Sequence, residues 1–523
     1  MRILVCFKVL PNWEKVLESD WELFGPNTDI SYAGSDFNCM DESALELALR
    51  IKEQAAQRGD EALCTAATVG RRPNPPMTET LFAAGFDELV VIEDARATFD
   101  PVLTASRLAD FAGERSFDLI ITGADSGMLG SGSVPFLLSK MLSIPAVSDT
   151  QELSLGEDGI ELVQQDLMGL WLRCVSLPAL VSVGNSPAVL RAVSLRTRLR
   201  AKGRTPHIIK NNESDASALP LENLIRPSGK RKCKYLSGDE VPELIGMLLT
   251  DSLPSGETAP EVAAKFHELP QGFNAISYDS SAAFPAITAD YNYRRPELTV
   301  LPDTPEGRRL AAHLSVEFNT AFLSGVKLLG YKKDSAVAGK MVCASNLFWQ
   351  KTLNFPAVIT LSEELPSSVE RLSFPKPSET ASQNILWERK LEAPPEDRLT
   401  GKKIVIVCGV GAGASGCKTA RELASRLDAG FGLTRPAALN GWGSTDEIIG
   451  QSGKSVSPSV CFVLGASGSR AFLAGIEDAT HIIAVNTDKN ALIFQGCDIG
   501  IRSDAGTLAA MLLDALEDMG VNA

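Results

Sequence analysis

Short apolar runs alternate with longer amphipathic stretches through most of the chain. "RILVCFKV" opens it as an apolar run of strand length, and "MDESALELALRIKEQAAQ" follows with leucines and alanines recurring at helical spacing. "EALCTAATVG", "TETLFAAGF", "ELVVIED", "PVLTASRLADFAGE" and "DLIITGADS" continue the alternation. Strand, helix, strand, helix in this order predicts mostly parallel, doubly wound sheets, the α/β class, with the first unit over about 1–210.

Polar, turn-rich stretches interrupt the pattern. "KNNESDASALPLENLIRPSGKRKC" reads as a linker or arm, and "LTDSLPSGETAPEV" and "LPSSVERLSFPKPSETASQN" read as further breaks. Three domains are expected from them, over 1–255, 256–395 and 396–523. One pattern also occurs twice. "FDLIITGADSGMLGSGSVPFLLSKMLSIPAVSD" is followed about sixty residues after its start by "SLPALVSVGNSP". "PELTVLPDTPEGRRLAAHLSVEFNTAFLSG" is followed at nearly the same interval by "NFPAVITLSEELP". Two copies of one α/β unit point to duplication or gene fusion.

Composition adds exclusions. A chain of 523 residues, 44% hydrophobic and 22% charged, has ordinary globular composition. Its formal net charge of -15 argues against a general binder of nucleic acid or anionic membranes. No apolar run approaches the roughly 18 residues of a membrane-spanning helix. "MRILVCFKVLP" reads as a buried strand and not as a signal peptide, so a cytoplasmic protein without membrane insertion is expected. The ten cysteines contain no Cys-x-x-Cys, which leaves zinc and iron–sulfur sites without support. The four histidines, His207, His267, His313 and His481, have no suggestive neighbours, and no metal site or acid–base catalytic group is expected.

Glycine loops carry the candidate chemistry. In "VCGVGAGASGCKTA", Gly411-x-Gly413-x-x-Gly416 has the spacing of a dinucleotide fingerprint after an apolar run. An NAD site wants an acidic residue about twenty positions on, at the end of the next strand. Asp428 comes too early, and Arg435 and Pro436 stand where it is needed. Gly450-Gln451-Ser452-Gly453-Lys454 supplies backbone amides, a hydroxyl and a cation. Gly465-Ala466-Ser467-Gly468-Ser469 follows an apolar run and opens a helix whose N-terminus attracts phosphate. Asn486 and Asp498 are expected where strands end, the ligand edge of a parallel sheet. The set describes a site for a large phosphorylated cofactor.

This block resembles the C-terminal domain of electron-transfer flavoprotein α-subunits over about 100 residues, with several motifs in order. The family pattern S-R-A, G-Q-T-G-K-x-V, S-G-A and I-N-x-D falls on Thr434–Arg435, Gly450–Val456, Ser467–Ser469 and Asn486. The resemblance implies a Rossmann-like domain binding FAD through Gly409, Gly411, Thr434, Arg435, Gln451, Ser452, Gly453, Ser455, Val456, Ser467, Gly468, Ser469, Asn486, Asp498 and Ile499. It assigns Arg435 and Ser452 to the flavin ring, Ser467, Gly468 and Asn486 to pyrophosphate or ribitol, and Asp498 to the adenosine end. Two departures stand out: Gly411 where the family has arginine, and Phe472 where it often has histidine.

The N-terminal part resembles the β-subunit of the same family. "RILVCFKVLP" matches its opening strand, "FNCMDESALELALRIKE" its N-P-x-D-E pattern, and "LPALVSVG" its later strand. The chain is thus similar to a fused β–α electron-transfer flavoprotein with adenine-nucleotide α-hydrolase-like domains. Residues 1–255 correspond to the β-like part with its arm, 256–395 to a shortened first α domain, and 396–523 to the FAD domain. The resemblance implies a second nucleotide, AMP or a second FAD, near Asn38, Asp41, Gly123, Asp125, Ser131, Gly132 and Ser133. The family's D-G-D-T-x-Q loop is replaced by Met128–Ser133, which lacks both aspartates. Leu195, within the basic stretch Arg191–Arg204, falls where the family docks its partners.

The implied function is a FAD electron carrier between an acyl-CoA-dehydrogenase-type flavoprotein and a membrane-associated quinone oxidoreductase or other redox protein. An electron-bifurcating protein with two FAD and a non-redox nucleotide-binding scaffold are the alternatives. A monomer of fused subunits or a homodimer is compatible with the fusion.

Overall fold

A computed structural model describes residues 1–22, 28–98, 100–126, 132–166, 168–210, 224–225, 231, 233–236, 274–279, 284–332, 335–343, 347–361, 369–374, 384–392 and 398–518. The chain forms two compact units, Met1–Arg226 with Ala264–Pro394, and Pro227–Ala263 with Pro395–Ala523. The boundaries expected near 255 and 395 lie outside the described residues.

The first unit is built on a ten-stranded sheet. Its parallel part includes Leu63–Val69, Arg2–Cys6, Leu119–Gly123 and Ala179–Val183, side by side in that order. Ile3 and Val5 pack with Ala44, Leu45 and Leu81 on one face. Leu4 and Cys6 pack with Leu108, Phe111 and Leu137 on the other. Side chains alternate across a strand, so an all-apolar run buries both faces when helices cover both. Helix Cys39–Arg58 ends at Gly59 in a left-handed turn, the residue type that closes helices at no steric cost.

The repeat seen in the sequence is a repeat of chain path. Strand Leu119–Gly123, helix Val134–Leu142 and strand Ala146–Leu155 lead through a hairpin to Ala179–Val183, which inserts between the two earlier strands. Strand Leu298–Pro302, helix Pro305–Phe318 and strand Ala321–Val326 lead through hairpins to Ala357–Leu361, which inserts in the same way. Aligning the inserted strands places Asp149 on Gly325. Both are left-handed, at φ 54° and 66°, and the ladder slips at each. The equivalent helices carry the ion pair Lys140–Glu317 at 2.6 Å, and Ser133 bonds Ser324 at 2.8 Å.

His313 sits on the second of these helices with its Nε2 buried and, among the described residues, without a hydrogen-bond partner. Phe284 meets its ring edge-on at 5.7 Å. Burial first, then the Arg309 and Lys140 charges, push its pKa down to about 4. A base kept neutral in the fold binds its proton more readily when unfolded, so stability falls as pH drops from 6.5 toward 4. The full shift is worth on the order of 3 kcal/mol. His313→Leu is expected to flatten that part of the stability-versus-pH curve measured by urea unfolding.

The second unit is a six-stranded parallel sheet in the order Lys234–Leu236, Ile499–Ile501, His481–Val485, Val460–Leu464, Ile404–Cys408, Gly430–Leu433. Helices Gly413–Arg426 and Ala505–Asp518 cover one face, where Gly416 and Gly506 let the helices approach closely. Among the described residues no helix is long and apolar enough to cross a membrane.

Candidate functional site

In the second unit the strands point their C-terminal ends the same way, and the loops that leave them form one edge. Thr434 and Arg435 follow Gly430–Leu433, Gly465–Ser469 follow Val460–Leu464, and Asn486 follows His481–Val485. The turn Gly450–Gly453 is laced to the same edge. Ile449 donates to the Leu433 carbonyl at 2.9 Å, and Gln451 donates to Ala471 at 2.7 Å. Gly453 is held to a tight turn, since a Cβ there would lie 2.1 Å from the Ile448 oxygen. Ser452 and Val456 are buried, whereas Gly453 and Ser455 are exposed.

The loop after Val460–Leu464 is the most ligand-like. Among the described residues the amides of Ser467, Gly468 and Ser469 have no partner in the protein. Gly468 holds φ +84° against Ile493, whose amide donates to the Ser467 carbonyl at 3.0 Å. Three open amides with the hydroxyls of Ser467 and Ser469 are a donor set for an anionic diphosphate. Thr434 directly precedes the helix Arg435–Leu439 and donates its amide to the Cys408 carbonyl at 2.9 Å, which fixes where Arg435 leaves the sheet. Asn486 has both ends of its amide engaged, donating to Ala466 and accepting from Asp488, each at 2.9 Å. Its side chain shapes the loop.

Four of the expected residues are placed differently. Asp498 precedes its strand, at the opposite edge of the sheet. Its carboxylate accepts the Ile482 amide at 2.7 Å and pairs with buried Arg231. Ile499 is the first residue of the same strand and lies in the core. Neither meets the ligand edge. Asp504 does: it follows Ile499–Ile501, is exposed, and accepts the Thr507 amide at 2.8 Å, which holds its carboxyl below the usual range. The sequence signal was available, since a capping aspartate directly before a helix and after a strand marks that edge. Gly409 and Gly411 spend their amides on the Leu464 and Gly465 carbonyls, both at 2.8 Å. A Cβ at either would collide with Gly465 or Ala466 within 2.7 Å. These glycines join two loops and have no N–H left for phosphate. The crevice at this switch point is closed by backbone, and Asp428 lies before its strand, which together dispose of the NAD fingerprint. Phe472 is buried with Ile449 and Ile476.

The first unit holds a cleft with about 580 Å³ of empty space at the C-terminal ends of its parallel strands. Asp41, Gly123, Asp125, Gly132 and Ser133 line it together with Lys8. Asn38 donates to the Asp125 carbonyl from below the same loop. Ser131 lies outside the described residues. Asp41 accepts the Lys8 amide at 2.9 Å, and burial pushes its carboxyl up to about 7. Burial likewise pushes the Lys8 ammonium down to about 8. Gly123 has no room for a Cβ, which would lie 2.3 Å from the Asp41 carboxylate. Lys8 was missed in the sequence, though a lysine embedded in an apolar opening run is the signal for it.

Leu195 is 73% exposed at the start of the helix Leu195–Ala201, and Leu199 beside it is also exposed. The basic stretch divides. Arg191 is tied to Glu46 and Glu53, and Arg204 lies over the Phe82 ring at 4.0 Å. Arg196, Arg198, Arg200 and Lys202 face solvent.

Comparison with known proteins places this geometry. Residues 398–477 match the electron transfer flavoprotein FAD-binding domain, and residues 30–213 match the electron transfer flavoprotein domain. Protein FixB of Azorhizobium caulinodans is 30% identical over 257 residues, 46% of this chain and 68% of that protein. Putative electron transfer flavoprotein subunit YdiR of Escherichia coli is 30% identical over 241 residues, 44% of this chain and 77% of its own length. Putative electron transfer flavoprotein subunit YgcR of Escherichia coli is 29% identical over 259 residues, 48% of this chain and 98% of that protein. With open amides at the C-terminal edge of its sheet and these relatives, the chain belongs to the electron transfer flavoprotein family and carries its FAD-binding domain.

Proposed function

We propose that this is a fused electron transfer flavoprotein, a β-subunit-like half followed by an α-subunit-like half, that carries electrons on FAD between a flavin dehydrogenase and a second redox protein. The observation that carries this reading is the presence of both family domains in one chain, at 30–213 and 398–477. Two matches support it: YgcR is spanned over 98% of its length by only 48% of this chain, and FixB takes up only 46%. The duplicated α/β unit fits two subunits of common ancestry joined end to end. In the domain limits given by the resemblance, 1–255 is the β-like part, 256–395 the shortened first α domain, and 396–523 the FAD domain.

When bound, FAD supplies the redox-active ring. The chain's own residues hold and bias it. The amides of Ser467–Ser469 take the pyrophosphate, Arg435 sets a cation beside the ring, and Ser452 and Gln451 flank it. Arg435 there favours the negatively charged reduced ring, because a guanidinium stays charged at all working pH values. Asp504 replaces Asp498 as the acid at the adenosine end. The cleft of the first unit takes an adenine nucleotide, AMP or a second FAD, between Asp41, Gly123 and Gly132. An acyl-CoA dehydrogenase type donor and a quinone oxidoreductase acceptor fit the carrier role.

The deciding experiment denatures the purified full-length chain and counts released nucleotides. One FAD with AMP per chain marks a carrier, and two FAD mark a bifurcating protein. No FAD after attempted reconstitution overturns the reading. Leu195 gives a separate check on docking. Leu195→Ala is expected to raise the KM for a dehydrogenase partner about tenfold, the loss of one exposed anchor. Chemical reduction of the bound FAD should be unchanged.

A further inference from the structure

We propose that Cys233 and Cys497 are a disulfide-forming pair that fastens the segment around strand Lys234–Leu236 to the edge of the FAD-binding sheet. Their sulfurs lie 3.5 Å apart although the residues are 264 positions apart in sequence. Cys497 is fully buried and Cys233 half-buried. The parallel register Lys234↔Ile499 puts the two backbones one strand spacing apart and offset by about one residue. That corresponds to a Cα separation of about 6 Å, inside the range disulfides span.

Two further observations show that the sulfurs have their place. A Cβ at Gly500 would lie 2.6 Å from the Cys233 sulfur, so the strand leaves room for that thiol by carrying glycine. The segment is also seated independently of any bond. Arg231 donates to the Glu477 carbonyl at 3.0 Å and pairs with Asp498, and Tyr235 packs on Phe494 at 5.5 Å with Arg502 over its ring at 4.4 Å. The docked segment holds the thiols together before oxidation.

The chemistry needs a low-molecular-weight disulfide as oxidant. Cys233, the more accessible thiol, loses its proton and attacks one sulfur of that disulfide. A mixed disulfide forms and one small thiolate leaves. Cys497 then loses its proton and displaces the second small thiolate, forming the Cys233–Cys497 bond. Two electrons pass to the oxidant, which ends as two thiols. Burial raises both cysteine pKa values. The exchange is therefore slower than at an exposed thiol and speeds up with rising pH. In a reducing compartment such a pair reports a change of redox state and is not a permanent cross-link.

The test incubates the full-length chain with oxidised glutathione, quenches in acid, alkylates free thiols and maps peptides by mass spectrometry. A Cys233–Cys497 linked peptide is expected, lost on treatment with dithiothreitol and absent from Cys233→Ser and Cys497→Ala. Trypsin cleavage after Lys234 should slow at least about tenfold in the oxidised protein, since cleavage there requires the strand to open. Full alkylation of both residues after oxidation overturns the proposal, as does bonding of either to another cysteine or unchanged cleavage at Lys234.

Discussion

Gly468→Val is expected to leave the protein without FAD. Gly468 holds φ +84°, a conformation that a β-branched residue adopts only under strain. A Cβ there would also lie 2.2 Å from the Ile493 amide nitrogen and 2.4 Å from its Cα, where backbone has no way to yield cheaply. Relief requires the loop to leave Ile493. That breaks the Ile493-to-Ser467 hydrogen bond and turns away the three amides offered to phosphate. Strain and overpacking together cost about 3 kcal/mol or more. The measurement is the ratio of flavin absorbance to protein after purification, with thermal unfolding alongside. Ser467→Ala is the contrast. It removes one exposed hydroxyl and is expected to keep the fold and weaken FAD retention mildly. Full FAD occupancy in Gly468→Val would mean that this loop does not hold the cofactor.

Asp498→Asn and Asp504→Asn are expected to fail in opposite ways. The Asp498 and Arg231 side chains are 11% and 7% exposed. Neutralising one leaves a buried guanidinium without its counter-charge, which typically costs about 3–5 kcal/mol. The melting of the FAD-binding unit should fall by roughly 10 °C. FAD affinity measured well below that temperature should hardly change, because Asp498 lies on the far edge of the sheet. Asp504 is exposed and caps the helix Ala505–Asp518; asparagine keeps the cap and loses only the charge at the helix N-terminus, so stability should fall by less than about 1 kcal/mol. Its effect should appear in FAD affinity and in selectivity for FAD over FMN, which lacks the adenosine end. If the two variants exchange these behaviours, the assignment of the ligand edge is wrong.

Legibility followed the range of the physics. Elements whose pattern is local were readable: the buried runs "RILVC", "LIITG" and "ALVSV" are strands, and the helix over Cys39–Arg58 has its apolar face at helical spacing. The duplicated unit was readable because order and interval recur in the chain itself. The positions of Thr434, Arg435 and Ser467–Ser469 after strands were readable, since each follows an apolar run, whereas Gln451 and Ser452 lie in a turn that no apolar run marks. Asp498 was misplaced because a residue beside a short strand does not reveal which end of it is meant. Strand direction in the sheet decides that.

The alternation of strands and helices, the duplication and the glycine-rich loops are written in the chain, because backbone conformation and amphipathic period depend on near neighbours. What those loops face depends on packing between remote segments. Gly409 and Gly411 look like a phosphate cradle in the chain, yet their amides are consumed by a loop more than fifty residues away. The Lys8 amide reaches the Asp41 carboxylate only when strand Arg2–Cys6 and helix Cys39–Arg58 meet. Arg231 finds Asp498, and Cys233 finds Cys497, only across a strand pairing that joins distant parts of the chain. Hydrogen bonds, ion pairs and steric room are settled by proximity in space, and proximity between remote segments is a property of the packed sheet.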